Sequence, residues 1–148
     1  MPSQTSATVR VVRHFEASAD RVFDAWLDPR RAGRWLFCTP RGQMVRVEID
    51  ARVGGAFVFV DRRDGEDVEH NGEYLEIERP KRLVFRFVVP KYSSVFTRVA
   101  IDIVSAGSGC NVTLVHAGVL DEYQKRTEIG WQAILDALAK ELACASRI

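Results

Sequence analysis

The sequence has no apolar run approaching the roughly twenty residues that a membrane-crossing helix requires. Its opening Met1-Pro2-Ser3-Gln4-Thr5-Ser6 is polar and lacks an apolar export segment, so no membrane insertion and a cytoplasmic location are expected. Cysteine is scarce. Cys38, Cys110 and Cys144 are odd in number, widely spaced and free of any Cys-x-x-Cys pair, which argues against a disulfide framework and a structural zinc site. Free, largely buried thiols are the expected alternative. Neither charge sign dominates, because 21 Lys and Arg stand against 20 Asp and Glu. The net charge of +1 provides no long-range field for nucleic acid or anionic lipid, so neither is an expected partner.

Catalytic signatures are missing as well. There is no Gly-Lys-Ser or Gly-Lys-Thr phosphate loop and no Gly-x-Ser-x-Gly nucleophile elbow. His14 and His70 fall on separate strand patterns without cysteine or paired-histidine neighbours, so neither a metal nor another cofactor is expected.

What is present suits one folded unit. A chain of 148 residues, 47% of them hydrophobic, can bury a substantial core, and no repeat or interior linker divides it. We expect a flexible segment over 1–7 and a single domain over 8–148. Val9, Val11 and Phe15 alternate with Arg10, His14 and Glu16, the period of a strand with one wet face. Ser18 stands as a helix N-cap before Val22, Phe23 and Trp26, and Asp28-Pro29 stops that helix and opens a second one carrying Trp35 and Leu36.

Strand patterns follow in Val45, Val47 and Ile49, in Phe57 and Phe59, over Asn71 to Glu78, and in Leu83, Phe85 and Phe87. Two more run from Val95 to Ile103 and through Val112, Leu114 and His116. Asp61, Arg62, Arg63, Asp64, Glu66, Asp67 and Glu69 read as a solvated turn between strands. Beyond Asp121, the spacing of Trp131, Leu135, Leu138 and Leu142 gives a long helix with one apolar stripe. The fold class is therefore α+β: a curved antiparallel sheet of about six or seven strands, two short helices and a long C-terminal helix, with space between sheet and helix.

Val53-Gly54-Gly55-Ala56-Phe57, Asn71-Gly72-Glu73-Tyr74, Pro80-Lys81-Arg82-Leu83-Val84-Phe85 and Gly130-Trp131 occur in an order that resembles the homologues of the heat-shock-protein-90 ATPase activator. The resemblance covers nearly the whole chain. It implies the helix-grip fold of the START-like (SRPBCC) superfamily, shared with the major birch pollen allergen and polyketide cyclases. The co-chaperones themselves carry a separate N-terminal domain, for which this chain is too short.

A pocket in such a fold takes its walls from apolar side chains, and Trp26, Trp35, Phe57, Phe59, Phe85, Phe87, Trp131 and Leu135 are the candidates. Parity with Val112 and Leu114 aims His116 inward, and parity with Leu75 and Ile77 aims Glu73 the same way unless a bulge intervenes. Tyr74 is a further candidate for orienting a polar end. Gly130, inside a helix, points to close helix–sheet contact or to room beside Trp131.

The expected function is binding of a small, largely apolar or aromatic molecule. The alternatives are a cyclase or hydrolase-like enzyme using His116 or Glu73 as general base, and a protein-interaction module. A homodimer is compatible with the sequence.

Overall fold

The computed structural model describes residues 6–37 and 42–145. β1 (Ser6–Phe15) leads into α1 (Ala19–Leu27) and α2 (Pro29–Trp35). Then come β2 (Gly42–Ile49), β3 (Ala56–Arg63), β4 (Glu66–Glu78), β5 (Arg82–Val88), β6 (Thr97–Ala106) and β7 (Gly109–Leu120). A 3-10 turn (Asp121–Tyr123) precedes α3 (Gln124–Ala145). Pairing begins at Ser6, opposite Leu120, so the ordered strand starts earlier than the Thr8 expected from its pattern. The rest of the expected flexible segment lies outside the described residues.

The helix boundaries follow from local chemistry. Ser18 caps α1 by accepting the Arg21 backbone N–H at 3.3 Å. Asp28 ends α1 and caps α2, accepting the Arg30 N–H at 3.0 Å, while Pro29 occupies the first helical position, where no N–H is needed.

All seven strands pair antiparallel in the order β1-β7-β6-β5-β4-β3-β2, forming one curved sheet. Its inner face carries Phe57 and Phe59 of β3, Leu83, Phe85 and Phe87 of β5, Val99, Ile101 and Ile103 of β6, and Cys110, Val112 and Leu114 of β7. Against them α3 lays Trp131, Leu135, Leu138 and Leu142, all buried. Each such side chain contributes roughly 1.5–3 kcal/mol through burial. Arg21 ties the far end of α3 to α1 by donating to the Leu142 carbonyl at 2.9 Å. Cys110 is a free, buried thiol; Cys38 and the Cys144 side chain lie outside the described residues.

Two departures from the sequence reading share one cause, a shift of side-chain parity. The β2–β3 register slips between Met44 and Arg46, so Val45 is exposed and Met44, Val47 and Ile49 face the core. The β4–β5 register slips between Tyr74 and Glu76, so Leu75 and Ile77 are poor guides to the residues before them. Before that slip, Val68, His70, Gly72 and Tyr74 are buried, and Glu73 lies on the opposite face. The expectation that Glu73 points inward is thereby corrected. The solvated turn is also shorter than expected: β3 and β4 run through most of it, and Asp61 is fully buried.

Candidate functional site

Sheet and helix part at one end of the molecule. There the first half of α3, the loop between β5 and β6 and the ends of β6 and β7 enclose a pocket of about 440 Å³. Phe87, Trp131, Val119 and Ile134 supply apolar wall. Phe37, directly after α2, forms the floor: its ring lies 4.5 Å from His70, 5.3 Å from Phe87 and 6.0 Å from Trp131. Its φ of 60° is uncommon for a bulky residue, and the surrounding ring contacts hold it there. Lys91 pairs with Glu66 and thereby fastens the β5–β6 loop, with Tyr92 and Val95 on the pocket side, to the β3–β4 hairpin.

His116 is the centre of a directed hydrogen-bond chain. Trp131 Nε1–H donates to His116 Nδ1 at 2.9 Å, which leaves the His116 proton on Nε2. Nε2–H then donates to Thr97 Oγ1 at 2.7 Å, and the Thr97 hydroxyl faces the Phe87 carbonyl at 3.5 Å. Burial pushes the His116 pKa down from 6.5 to about 4, so the ring is neutral at neutral pH. His70, on the same wall, is pushed down to about 4 by burial first and by the Arg63 guanidinium second. Its buried Nδ1 makes no hydrogen bond of good geometry, and the ring is held by stacking on Phe37.

Of the residues expected to line a cavity, Phe87, His116 and Trp131 stand on this pocket. Trp26, Trp35, Phe57, Phe59, Phe85 and Leu135 pack in the core rather than on the wall of this pocket, and Trp26, Phe57, Phe59 and Phe85 surround a second void of only about 10 Å³. Trp26 and Trp35 meet edge to face at 4.6 Å, and Phe57 and Phe85 meet likewise at 5.2 Å. Tyr74 belongs to that layer, 5.3 Å from Phe57. Glu73 lies outside both layers in an ion pair with Arg86, Nε to Oε1 at 3.0 Å.

Gly130 decides between its two readings. A Cβ built on it would meet no atom within 4 Å, so close helix–sheet contact is not its reason, and it borders the pocket beside Trp131.

Phe37, Arg63, His70, Thr97 and Arg126 also face the pocket, and the sequence reading singled out none of them for it. His70 had a legible signal: Val68, His70, Gly72 and Tyr74 alternate with Glu69, Asn71 and Glu73, whose polarity marks the wet face. Phe37 had none, since it lies beyond the helical period. Among the described residues no three His, Cys, Asp or Glu side chains converge as metal ligands.

The sequence profile described as Activator of Hsp90 ATPase homolog 1-like protein matches residues 16–143. The chain belongs to this family. A solved structure of a Chromobacterium violaceum protein is 28% identical, with a TM-score of 0.83 over 90% of this chain and 94% of that one. An AHSA1-like protein from Aeromonas hydrophila is similar at 22% identity and a TM-score of 0.80, covering 95% and 94%. A Staphylococcus aureus protein of unknown function reaches a TM-score of 0.87 at 14% identity, over 97% and 98%. The last two likenesses concern the fold alone. No curated protein matches the sequence. Family membership accords with the α+β helix-grip architecture, and no helix among the described residues is long and apolar enough to cross a membrane.

Proposed function

We propose that this member of the family binds a small, largely apolar molecule in the pocket between α3 and the ends of β5, β6 and β7. The observation that carries this reading is the pocket itself. Its volume of about 440 Å³ lies within the range of small-molecule sites, and its wall is mostly aromatic and aliphatic with a few polar groups. Gly130 strengthens it, because a helical glycine costs about 1 kcal/mol relative to alanine and here no packing contact offsets that cost.

Binding is favoured over proton-transfer catalysis by the state of the two candidate bases. Glu73 points away from the pocket into its pair with Arg86. His116 has its basic lone pair occupied by the Trp131 N–H, and its low pKa makes it a weak base at neutral pH. The chain Trp131–His116–Thr97 is better suited to holding the pocket wall in one shape. A cytoplasmic carrier or sensor of an apolar metabolite fits this reading.

The test is a titration with N-phenyl-1-naphthylamine, an uncharged fluorescent probe, beside native mass spectrometry of freshly purified protein. Saturable fluorescence enhancement at one site per chain is expected, or a copurifying small molecule that the probe displaces. A folded protein that neither enhances the probe nor carries any small molecule would overturn the proposal.

A further inference from the structure

Among the described residues, the charged groups on the pocket wall are all of one sign: Arg63 and Arg126 border it, and no aspartate or glutamate does. In a chain whose charges nearly cancel, this segregation is local. The two arginines differ in their bonding. Arg63 is anchored from behind: its Nε donates to the buried Asp61 carboxylate at 2.7 Å. That bond fixes the guanidinium through one nitrogen, and a guanidinium has two further nitrogens with which to bind an acceptor. Arg126, near the start of α3, has no ion pair among the described residues and rests 5.8 Å from the Tyr123 ring. His70, stacked on Phe37, is a neutral ring whose Nδ1 is closed off from the pocket, so it adds no charge to the wall.

From this arrangement we infer that the ligand is an organic acid, an apolar or aromatic body carrying one anionic group, which Arg63 receives within the pocket while Arg126 adds a second positive charge at the α3 side. The inference rests on the binding reading above and narrows it. An uncharged ligand would leave the outward Arg63 nitrogens without an acceptor on the ligand in a largely apolar surround, a costly arrangement. A cationic ligand would meet two arginines and no counter-charge. A carboxylate, by contrast, supplies two acceptor oxygens to a planar guanidinium already set in place by Asp61.

A matched pair of probes separates charge from hydrophobicity. 8-Anilinonaphthalene-1-sulfonate has the same aromatic frame as N-phenyl-1-naphthylamine plus one permanent negative charge. The anionic probe should bind at least about tenfold more tightly at low salt and lose that margin as salt is raised. Arg126→Gln should weaken the anionic probe by about threefold or more and leave the neutral one within about twofold, as expected for a partly exposed charge. Arg63→Gln should do the same with a larger loss, about tenfold, because its contact is more buried. Should Arg63→Gln unfold through the loss of the Asp61 partner, Arg126→Gln, which breaks no ion pair among the described residues, still decides the matter. Equal or tighter binding of the neutral probe, or no effect of either folded variant on the anionic one, would refute the acid ligand and leave the binding reading standing. Failure of both probes to bind the parent protein would refute the two together.

Discussion

Two substitutions at Gly130 separate what its backbone costs from what its missing side chain provides. The residue sits within α3, where alanine is favoured over glycine by about 0.8–1 kcal/mol. A Cβ there meets nothing within 4 Å, so no steric penalty opposes that gain. Gly130→Ala should therefore stabilise the protein by close to 1 kcal/mol, which for a domain of this size raises the midpoint of thermal unfolding by about 2–4 °C. Gly130→Leu should keep most of the helical gain, since leucine is also a good helix former, while sending an isobutyl group into the pocket beside Trp131. Affinity for N-phenyl-1-naphthylamine should then fall by about tenfold or more, the scale on which an occupied site rejects a bulky group. Denaturant titrations and probe titrations on the same three proteins check both halves. A less stable Gly130→Ala would mean that the space beside the helix is filled in solution. A stable Gly130→Leu that binds the probe unchanged would mean that the site lies elsewhere.

Two further outcomes follow from the same structure. Gly72→Ala should destabilise by at least about 2 kcal/mol, the opposite sign to Gly130→Ala, because its Cβ would lie 2.1 Å from the Phe57 ring and 2.6 Å from the Arg86 carbonyl; urea unfolding that shifts by less would show that the ring moves aside. Stability should also fall between pH 6.5 and 4: His70 and His116 are held to about 4 in the folded protein, so the unfolded chain takes up protons first as the pH drops. Their contribution is complete above 6.5, vanishes by about 4, and amounts to up to about 3 kcal/mol for each histidine. His116→Gln should flatten that slope, and an unchanged pH profile of unfolding midpoints would refute the assignment.

The elements were legible because each is marked by short-range chemistry. Ser18 and Asp28 announce the two helix starts with their own side chains, and Pro29 fixes the boundary between them. The apolar stripe of α3 survives into the structure residue for residue, since a helix has no means of slipping one position without losing its backbone ladder. Strands lack that protection. A single bulge reverses parity without changing composition, and both of the strand residues that the sequence misplaced, Val45 and Glu73, lie at or just before one.

Distinguishing wall from core is a different problem, and residue type does not solve it. Trp26, Trp35 and Trp131 are almost equally buried, yet only Trp131 borders the pocket. What distinguishes it is position along α3: it adjoins Gly130, where the helix lacks a side chain, and it lies on the half of the helix that faces the β5–β6 loop. The same geometry explains why His116 and His70, at equal depth, have different parts. His116 is reached by Trp131 and Thr97 and is consumed in building the wall. His70 is covered by a ring face of Phe37, and its Nδ1 is closed off from the pocket, so it packs the wall rather than lending it polarity. Under the acid-ligand proposal, charge selection would come from Arg63 of β3, inside the charged run whose composition reads as a solvated turn, while the C-terminal helix would set the size of the molecule admitted.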